Sequence, residues 1–413
     1  MRRRQISHRL TFTILAVAVL VSASLAIAQV ETVLHNFNNN GIDGTSPVTN
    51  LILDASGNLY GMTPTGGAYG SGVAFELLPK TGGGYTEKIL HSFNNVLTDG
   101  AQPYGPLVLD ALGNLYGTTL GGGAYAFGTI FELAPRAGGA WGFRILHSFN
   151  GSNGDANGSF GGLVADAAGN FYGTGSAGGA HNQGAVFELA LTAGNGWAER
   201  VLYSFNSNGS DGFHPYAGLT IDAAGNLYGV TTYGGAFGNG AAFELSHSPA
   251  GWTETILHSF SGSSADGGNP FATLVIDDAG NLFGSTLVGG AYSNGTVFEL
   301  TPQGGGTWNE SIVHNFDNIG GDGYYSQATL LSNSGNLYGT TYAGGTRSVG
   351  TVFELSPVSG GGWTENILFN FNNRGVNPDK PLAGVVADGS GNLYGVTEFG
   401  GAYGFGAVFE ITP

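Results

Sequence analysis

Asp110-Ala111-Leu112-Gly113-Asn114-Leu115-Tyr116-Gly117-Thr118-Thr119 is the stretch on which the fold turns. Its core also appears as Gly57-Asn58-Leu59-Tyr60-Gly61, and begins again at Gly169, Gly225, Gly280, Gly335 and Gly391. The seven copies are separated by 56, 56, 56, 55, 55 and 56 residues, a period that belongs to propeller blades or solenoid units.

Around this core, one unit contains four short apolar runs separated by turn residues. The first covers 107–110 and is closed by a hairpin turn at 111–114. The second runs over 115–119, and a glycine-rich loop at 121–125 leads to the third at 129–133. Pro135 and Gly138-Gly139 turn the chain into the fourth, 143–149. Helical periodicity is missing, so four antiparallel strands form each unit, as in a propeller blade. The chain after residue 28 starts with a lone fourth strand, 31–37, and stops at a third strand, 407–411. These fragments complete one blade, which predicts an all-β, seven-bladed propeller closed by its N-terminal strand, with 33–37 beside 408–411. A linear solenoid would need atypical capping units.

The first 28 residues read as a signal peptide: Arg2-Arg3-Arg4, an apolar run over 10–25 and the small-x-small site Ala26-Ile27-Ala28. Secretion to the extracellular space or periplasm is expected, with no membrane span after cleavage. Residues 29–413 read as a single domain, because no linker interrupts the repeats. Without cysteine there are no disulfides and no thiolate metal sites. Four of the 12 basic residues leave with the signal; the remaining 8 against 29 acidic residues give a net charge near −21. Nucleic acid requires a positive footprint and is not an expected partner. Polysaccharide or protein at the cell surface is, and the chain is expected to be a monomer.

The copies of D-x-x-G-N-L-Y-G-T-T, followed by G-G-A-Y and G-T-V-F-E-L, resemble the GloVer tandem repeat of secreted bacterial proteins over residues 31–413. The resemblance implies β-propeller-like repeats and no assigned activity. Members often carry a C-terminal sorting segment, whereas here Thr412-Pro413 directly follows a strand, so no anchor is expected.

Most recurrent polar residues have structural readings. Glu76, Glu132, Glu188, Glu244, Glu299, Glu354 and Glu410 sit mid-strand and are expected to be satisfied by backbone amides or by the next blade. His35, His91, His147, His258 and His314 alternate with Tyr203 and Phe369, which points to a slot for a flat ring rather than a metal ligand. Asp54 and its equivalents should accept turn amides, with Gly and Asn supplying positive φ. No cofactor or metal is expected.

Function is expected on the face carrying the second-to-third-strand loops and the blade-to-blade connections. Two rings of residues are read there. After the paired glycines come Tyr69, Tyr125, His181, Phe237, Tyr292, Arg347 and Tyr403. After the Asp-Gly-x-x-Pro connection come Val48, Tyr104, Phe160, Tyr216, Phe271, Gln327 and Leu382. Aromatic rings around a shallow funnel suit stacking on sugars or docking of extended peptides. The expectation is therefore a non-catalytic binding or scaffold module, with the aromatic members of both rings, His181 and Arg347 as candidate ligand-binding residues. The other reading is a lactonase-like hydrolase or lyase at the central channel. That chemistry needs acidic or His residues at the starts of the inner strands, which instead read Gly105-Pro106, Gly161-Gly162 and Ala217-Gly218. Departures from the repeat cluster in copies three, six and seven: His181 with His214, Arg347 with Gln327, and Asp379, Lys380 and Glu398.

Overall fold

The computed structural model describes residues 29–151, 154–194, 196–374 and 376–412. The signal reading falls on residues 1–28, outside the described residues, among which no helix is long and apolar enough to cross a membrane.

Seven antiparallel sheets, mostly four-stranded, form a ring of blades. The second blade runs, from the axis outwards, through Val108–Leu109, Leu115–Thr119, Thr129–Pro135 and Trp141–Ser148. The innermost strands are shorter than the expected four residues, because paired strands converge only briefly at the crowded centre. In the seventh blade, Val386–Ala387, Leu393–Thr397 and Ala407–Thr412 are completed by Val30–Asn36. Val33 lies opposite Phe409 and His35 opposite Val408, so the ring is closed by the N-terminal strand as its sequence implies.

Each joint between blades is sealed by a pair of phenylalanines. The residue at the end of one outer strand meets the third strand of the next blade edge-to-face, with centroids 4.9–5.5 Å apart: Phe37–Phe75, Phe93–Phe131, Phe149–Phe187, Phe205–Phe243, Phe260–Phe298, Phe316–Phe353 and Phe371–Phe409. The glycine of the second strand makes room for this ring. A Cβ at Gly61 would lie 2.6 Å from the Phe75 Cζ.

The Gly-Asn hairpin is built by its aspartate. Asp54 Oδ1 accepts the Ser56 and Asn58 amides at 2.8 and 2.9 Å, while Oδ2 accepts Asn58 Nδ2 at 2.8 Å. Only Gly57 takes positive φ (83°), so Asn58 serves as a side-chain donor and not as a left-handed residue. The mid-strand glutamates also differ from expectation. Tyr60 Oη lies 3.0 Å from Glu76 Oε1 and 3.2 Å from Asp54 Oδ2, and the same tyrosine bridge recurs at Tyr116, Tyr172, Tyr228 and Tyr394. In these copies the partner is thus the tyrosine of the adjacent strand in the same blade, as it is for Glu354 with Tyr338, whereas Glu299 faces Phe283. Lys88, Arg144 and Arg200 cover the glutamates from outside in the first three blades.

Candidate functional site

Two sets of loops interlock on one face of the ring. A short ribbon joins each connection to the second-to-third-strand loop of the blade it enters, two residues long in six blades, as Gly44–Thr45 pairs with Thr65–Gly66, and longer in the fifth, where Gly267–Pro270 pairs with the end of Leu282–Gly289. The connection also reaches backward. The amides of Ser46, Gln102, Gly158, His214, Asn269, Tyr325 and Lys380 donate to carbonyls in the preceding blade's loop at 2.7–3.4 Å. All seven donors take φ between 52° and 62°. This left-handed step turns the chain toward the axis, and the side chain two residues later points into the central funnel.

The funnel is a cavity of about 200 Å³. Its wall is the second of the two rings read from the sequence: Val48, Tyr104, Phe160, Tyr216, Phe271, Gln327 and Leu382, all half-buried. Four consecutive blades contribute a continuous aromatic arc. Tyr104–Phe160, Phe160–Tyr216 and Tyr216–Phe271 have centroid separations of 5.2, 5.3 and 5.3 Å, the last pair stacked at 20°. Gln327, Leu382 and Val48 face this arc from the other blades. The floor consists of Thr49, Asn50, Gly161, Ala217, Gly218, Ala272, Thr273, Thr329 and Ala383. Its polar groups are partly committed to holding the inner strands together, with Asn50 Oδ1 accepting the Gly384 amide at 2.8 Å and Thr273 Oγ1 the Gly218 amide at 2.9 Å.

The first ring lies elsewhere. Tyr69, Tyr125, Phe237, Tyr292 and Tyr403 are 54–64% exposed, and His181 and Arg347 are exposed with them. None lines the funnel. The Ala68 amide donates to Ser92 Oγ on the outer strand, and Tyr69 borders a depression shared with His91, Asn94, Val96 and Asp99. The structure therefore separates what the sequence suggested was one surface into an inner wall and an outer rim. The physical reason is the paired glycines: Gly66 and Gly67, at φ 82° and 79°, turn the loop away from the axis after the ribbon.

Of the departures in blades six and seven, Lys380 and Glu398 meet at Tyr342, whereas Arg347 stays on the exposed rim. Lys380 Nζ sits 5.4 Å from the Tyr342 ring centre and 5.2 Å from that of Phe399. Burial raises the Glu398 carboxyl above its usual range, against the lowering effects of the Tyr342 hydroxyl and the Lys380 charge. Tyr342 is itself pushed up to about 12, by burial and then by the charge of Glu398. Burial, and after it the charge of the same carboxylate, raises the Tyr104 phenol above its usual range. His214 instead donates or accepts through Nδ1 at the Ser176 carbonyl, 2.7 Å away, and stacks on Tyr216 at 6.1 Å.

The histidine slot combines packing with a polar role that sequence reasoning missed. His91 stacks flat on Phe143 at 4.1 Å, while its Nε2 lies 2.9 Å from Asp99 Oδ1. At other joints the place of Phe143 is taken by a glutamate: Glu87, Glu199, Glu254, Glu310 or Glu365. The signal was present as a glutamate four residues before the aromatic slot, for example Glu87 before His91.

The fold and its aromatic funnel define a seven-bladed β-propeller with a concave, largely apolar site on its axis. The chain belongs to the Gloeobacter/Verrucomicrobia repeat family, whose model matches residues 19–159, 85–275, 142–317 and 220–413. No curated protein matches it in sequence. Among solved structures it is similar to an ancestral GH74 enzyme, at 11% identity and TM-score 0.54, over 93% of this chain and 51% of that one. The chain thus spans about half the length of that enzyme, and the likeness is one of fold. It is also similar to a putative oxidoreductase (glucose dehydrogenase) from Thermus thermophilus, at 14% identity and TM-score 0.41, over 93% of this chain and all of that one.

Proposed function

We propose that this propeller is a secreted, non-catalytic binding module that takes a sugar ring of a cell-surface polysaccharide into its axial funnel. The observation that carries the reading is the unbroken arc Tyr104–Phe160–Tyr216–Phe271 facing Gln327 across about 200 Å³. The apolar face of a pyranose stacks on such rings, while hydroxyls bond to amide, hydroxyl and phenol groups at the edge. Gln327, Asn50 and the floor threonines supply neutral donors and acceptors. Among the described lining residues the only ionisable side chains are two tyrosines, which favours binding over hydrolysis, since general acid–base cleavage of a glycoside uses a pair of carboxyl groups.

The test is retention of the chain 29–413 on insoluble cell-wall and exopolysaccharide preparations. Each buried stacking ring contributes about 1 kcal/mol, so the Phe160→Ala, Tyr216→Ala double variant is expected to lose roughly 30-fold in affinity. Tyr125→Ala with Tyr292→Ala, on the outer rim, is expected to leave retention unchanged. The opposite pattern would move the binding surface to the rim and sink the funnel reading, and release of reducing sugar during incubation would make the protein an enzyme.

A further inference from the structure

At four of the seven joints an imidazole nitrogen and two carboxylate oxygens converge from three segments, all within 4.8 Å of one another: His35, Asp43 and Glu87; His147, Asp155 and Glu199; His258, Asp266 and Glu310; His314, Asp322 and Glu365. The backbone explains how they meet. On six of the seven outer strands the histidine slot follows four residues after a glutamate, and on all seven a one-residue bulge precedes the slot, as at Ile89 and His91 opposite Phe75 and Ala74. Without the bulge both side chains would share one face of the strand; with it they point to opposite faces. Where both residues are present, an outer strand therefore sends its glutamate to the joint behind and its histidine to the joint ahead. The aspartate comes from the connection that leaves the histidine's own strand.

The spacing of the imidazole nitrogen from the carboxylate oxygens fits neighbouring ligands as well as ion pairs. His35 Nε2 lies 3.3 Å from Asp43 Oδ2 and 3.5 Å from Glu87 Oε1; His314 Nε2 lies 3.4 Å from Asp322 Oδ2 and 3.6 Å from Glu365 Oε1. Bonds of roughly 2.0–2.1 Å at tetrahedral angles place neighbouring ligand atoms about 3.4 Å apart. At the second node the atoms also lack any other partner. His147 Nε2, Asp155 Oδ1 and Glu199 Oε1 are all buried without a hydrogen bond. The Asp155 side chain is only 7% exposed; its Oδ2 accepts the Asn150 amide at 2.7 Å, and its free Oδ1 lies 3.5 Å from the imidazole nitrogen. A buried imidazole nitrogen and two buried carboxylate oxygens that face one another without hydrogen bonds are costly unless a proton or an ion sits between them.

We propose that these four joints bind a divalent transition-metal ion of the zinc type through one histidine and two carboxylates, with the remaining position open to water. A neutral imidazole and two carboxylates balance the ion's charge, so the node becomes neutral where it otherwise holds a half-buried glutamate and an aspartate that is buried in three of the four nodes. The histidines remain 17–23% exposed, which gives an ion a path in. The other joints are natural controls: Phe143 stands in place of the glutamate beside His91, Tyr203 replaces the histidine between Asp211 and Glu254, and Phe369 with Asn377 replaces both His and Asp. These joints close in the same way, so the ring does not require the ion.

The experiment strips the chain 29–413 with a chelator, re-equilibrates it with micromolar zinc chloride and counts retained zinc after gel filtration. About four ions per chain are expected. The count should fall by about one in His147→Phe, and rise by about one in Tyr203→His, which completes a fifth set with Asp211 and Glu254. The second variant keeps the test decisive should the first fail to fold. A count indifferent to Tyr203→His, including a count that stays at zero, would overturn the proposal.

Discussion

A chain that begins at residue 39 is expected to show no cooperative unfolding transition, whereas one that begins at residue 29 unfolds as a single domain. The deletion removes the outer strand of the seventh blade, Val30–Asn36, and with it six paired positions along Ala407–Thr412. It also removes Phe37, fully buried against Phe75, whose loss alone costs about 3–5 kcal/mol by analogy with Phe→Ala changes in cores. The exposed edge would consist of Ala407, Val408, Phe409 and Ile411, all buried in the intact ring, an unpaired apolar edge of the kind that aggregates. These losses together match the whole stability of an ordinary domain, about 5–15 kcal/mol. Calorimetry of the two chains checks this, as does recovery of the transition when a peptide of residues 29–38 is supplied in trans. A melting temperature unaltered by the deletion would refute closure by this strand.

The second large effect concerns the glycine that opens each third strand. Gly128 has φ 94°, and a Cβ there would fall on the Thr119 carbonyl oxygen, a backbone atom that cannot rotate away. Gly128→Ala thus combines the penalty of a left-handed residue, about 1–2 kcal/mol, with a backbone displacement of comparable cost, for a total of roughly 3 kcal/mol or more. Gly138, in the exposed turn before the fourth strand, has φ 79° but nothing within 4 Å of its Cβ position. Gly138→Ala should then lose only about 1 kcal/mol. Urea midpoints of the two variants separate conformational strain from steric clash, and equal losses would contradict the packing described here.

The ring of blades was legible because a period near 55 residues, four alternating runs per unit and split ends all state the same topology. The inner wall of the funnel was legible too, since the position after Asp-Gly-x-x-Pro is fixed by a loop of constant length. The radial placement of the outer rim was not. Tyr69 and Tyr104 occupy loops of similar composition on one face, and only the direction of the Gly66-Gly67 turn sends the first outward. Likewise the joint nodes escaped a reading by strand period. Glu87 and His91, four residues apart, belong on one face in a regular strand, and it is the bulge at Leu90 that sends them to different neighbours. Partners were the least visible feature: Glu76 meets Tyr60 through pairing across strands, a relation that becomes evident only once the register Tyr60 opposite Glu76 is known.

Symmetry has a functional consequence as well. Seven equal blades would surround the axis with seven equal walls, yet aromatic rings come only from blades two to five, while Gln327, Leu382 and Val48 close the circle. Tyr342, Lys380 and Glu398 lie on the side where the arc is broken. The funnel wall is therefore aromatic on one side and aliphatic on the other, interrupted by the single amide of Gln327.

Hydrogen–deuterium exchange with and without a polysaccharide fragment retained by the protein tests that site most directly. The funnel account predicts protection in peptides spanning 104–106, 160–162, 216–218 and 271–273, with the loop tips at Tyr69, Tyr125, Tyr292 and Tyr403 unaffected. Protection confined to those tips, with the four inner segments unchanged, would contradict it.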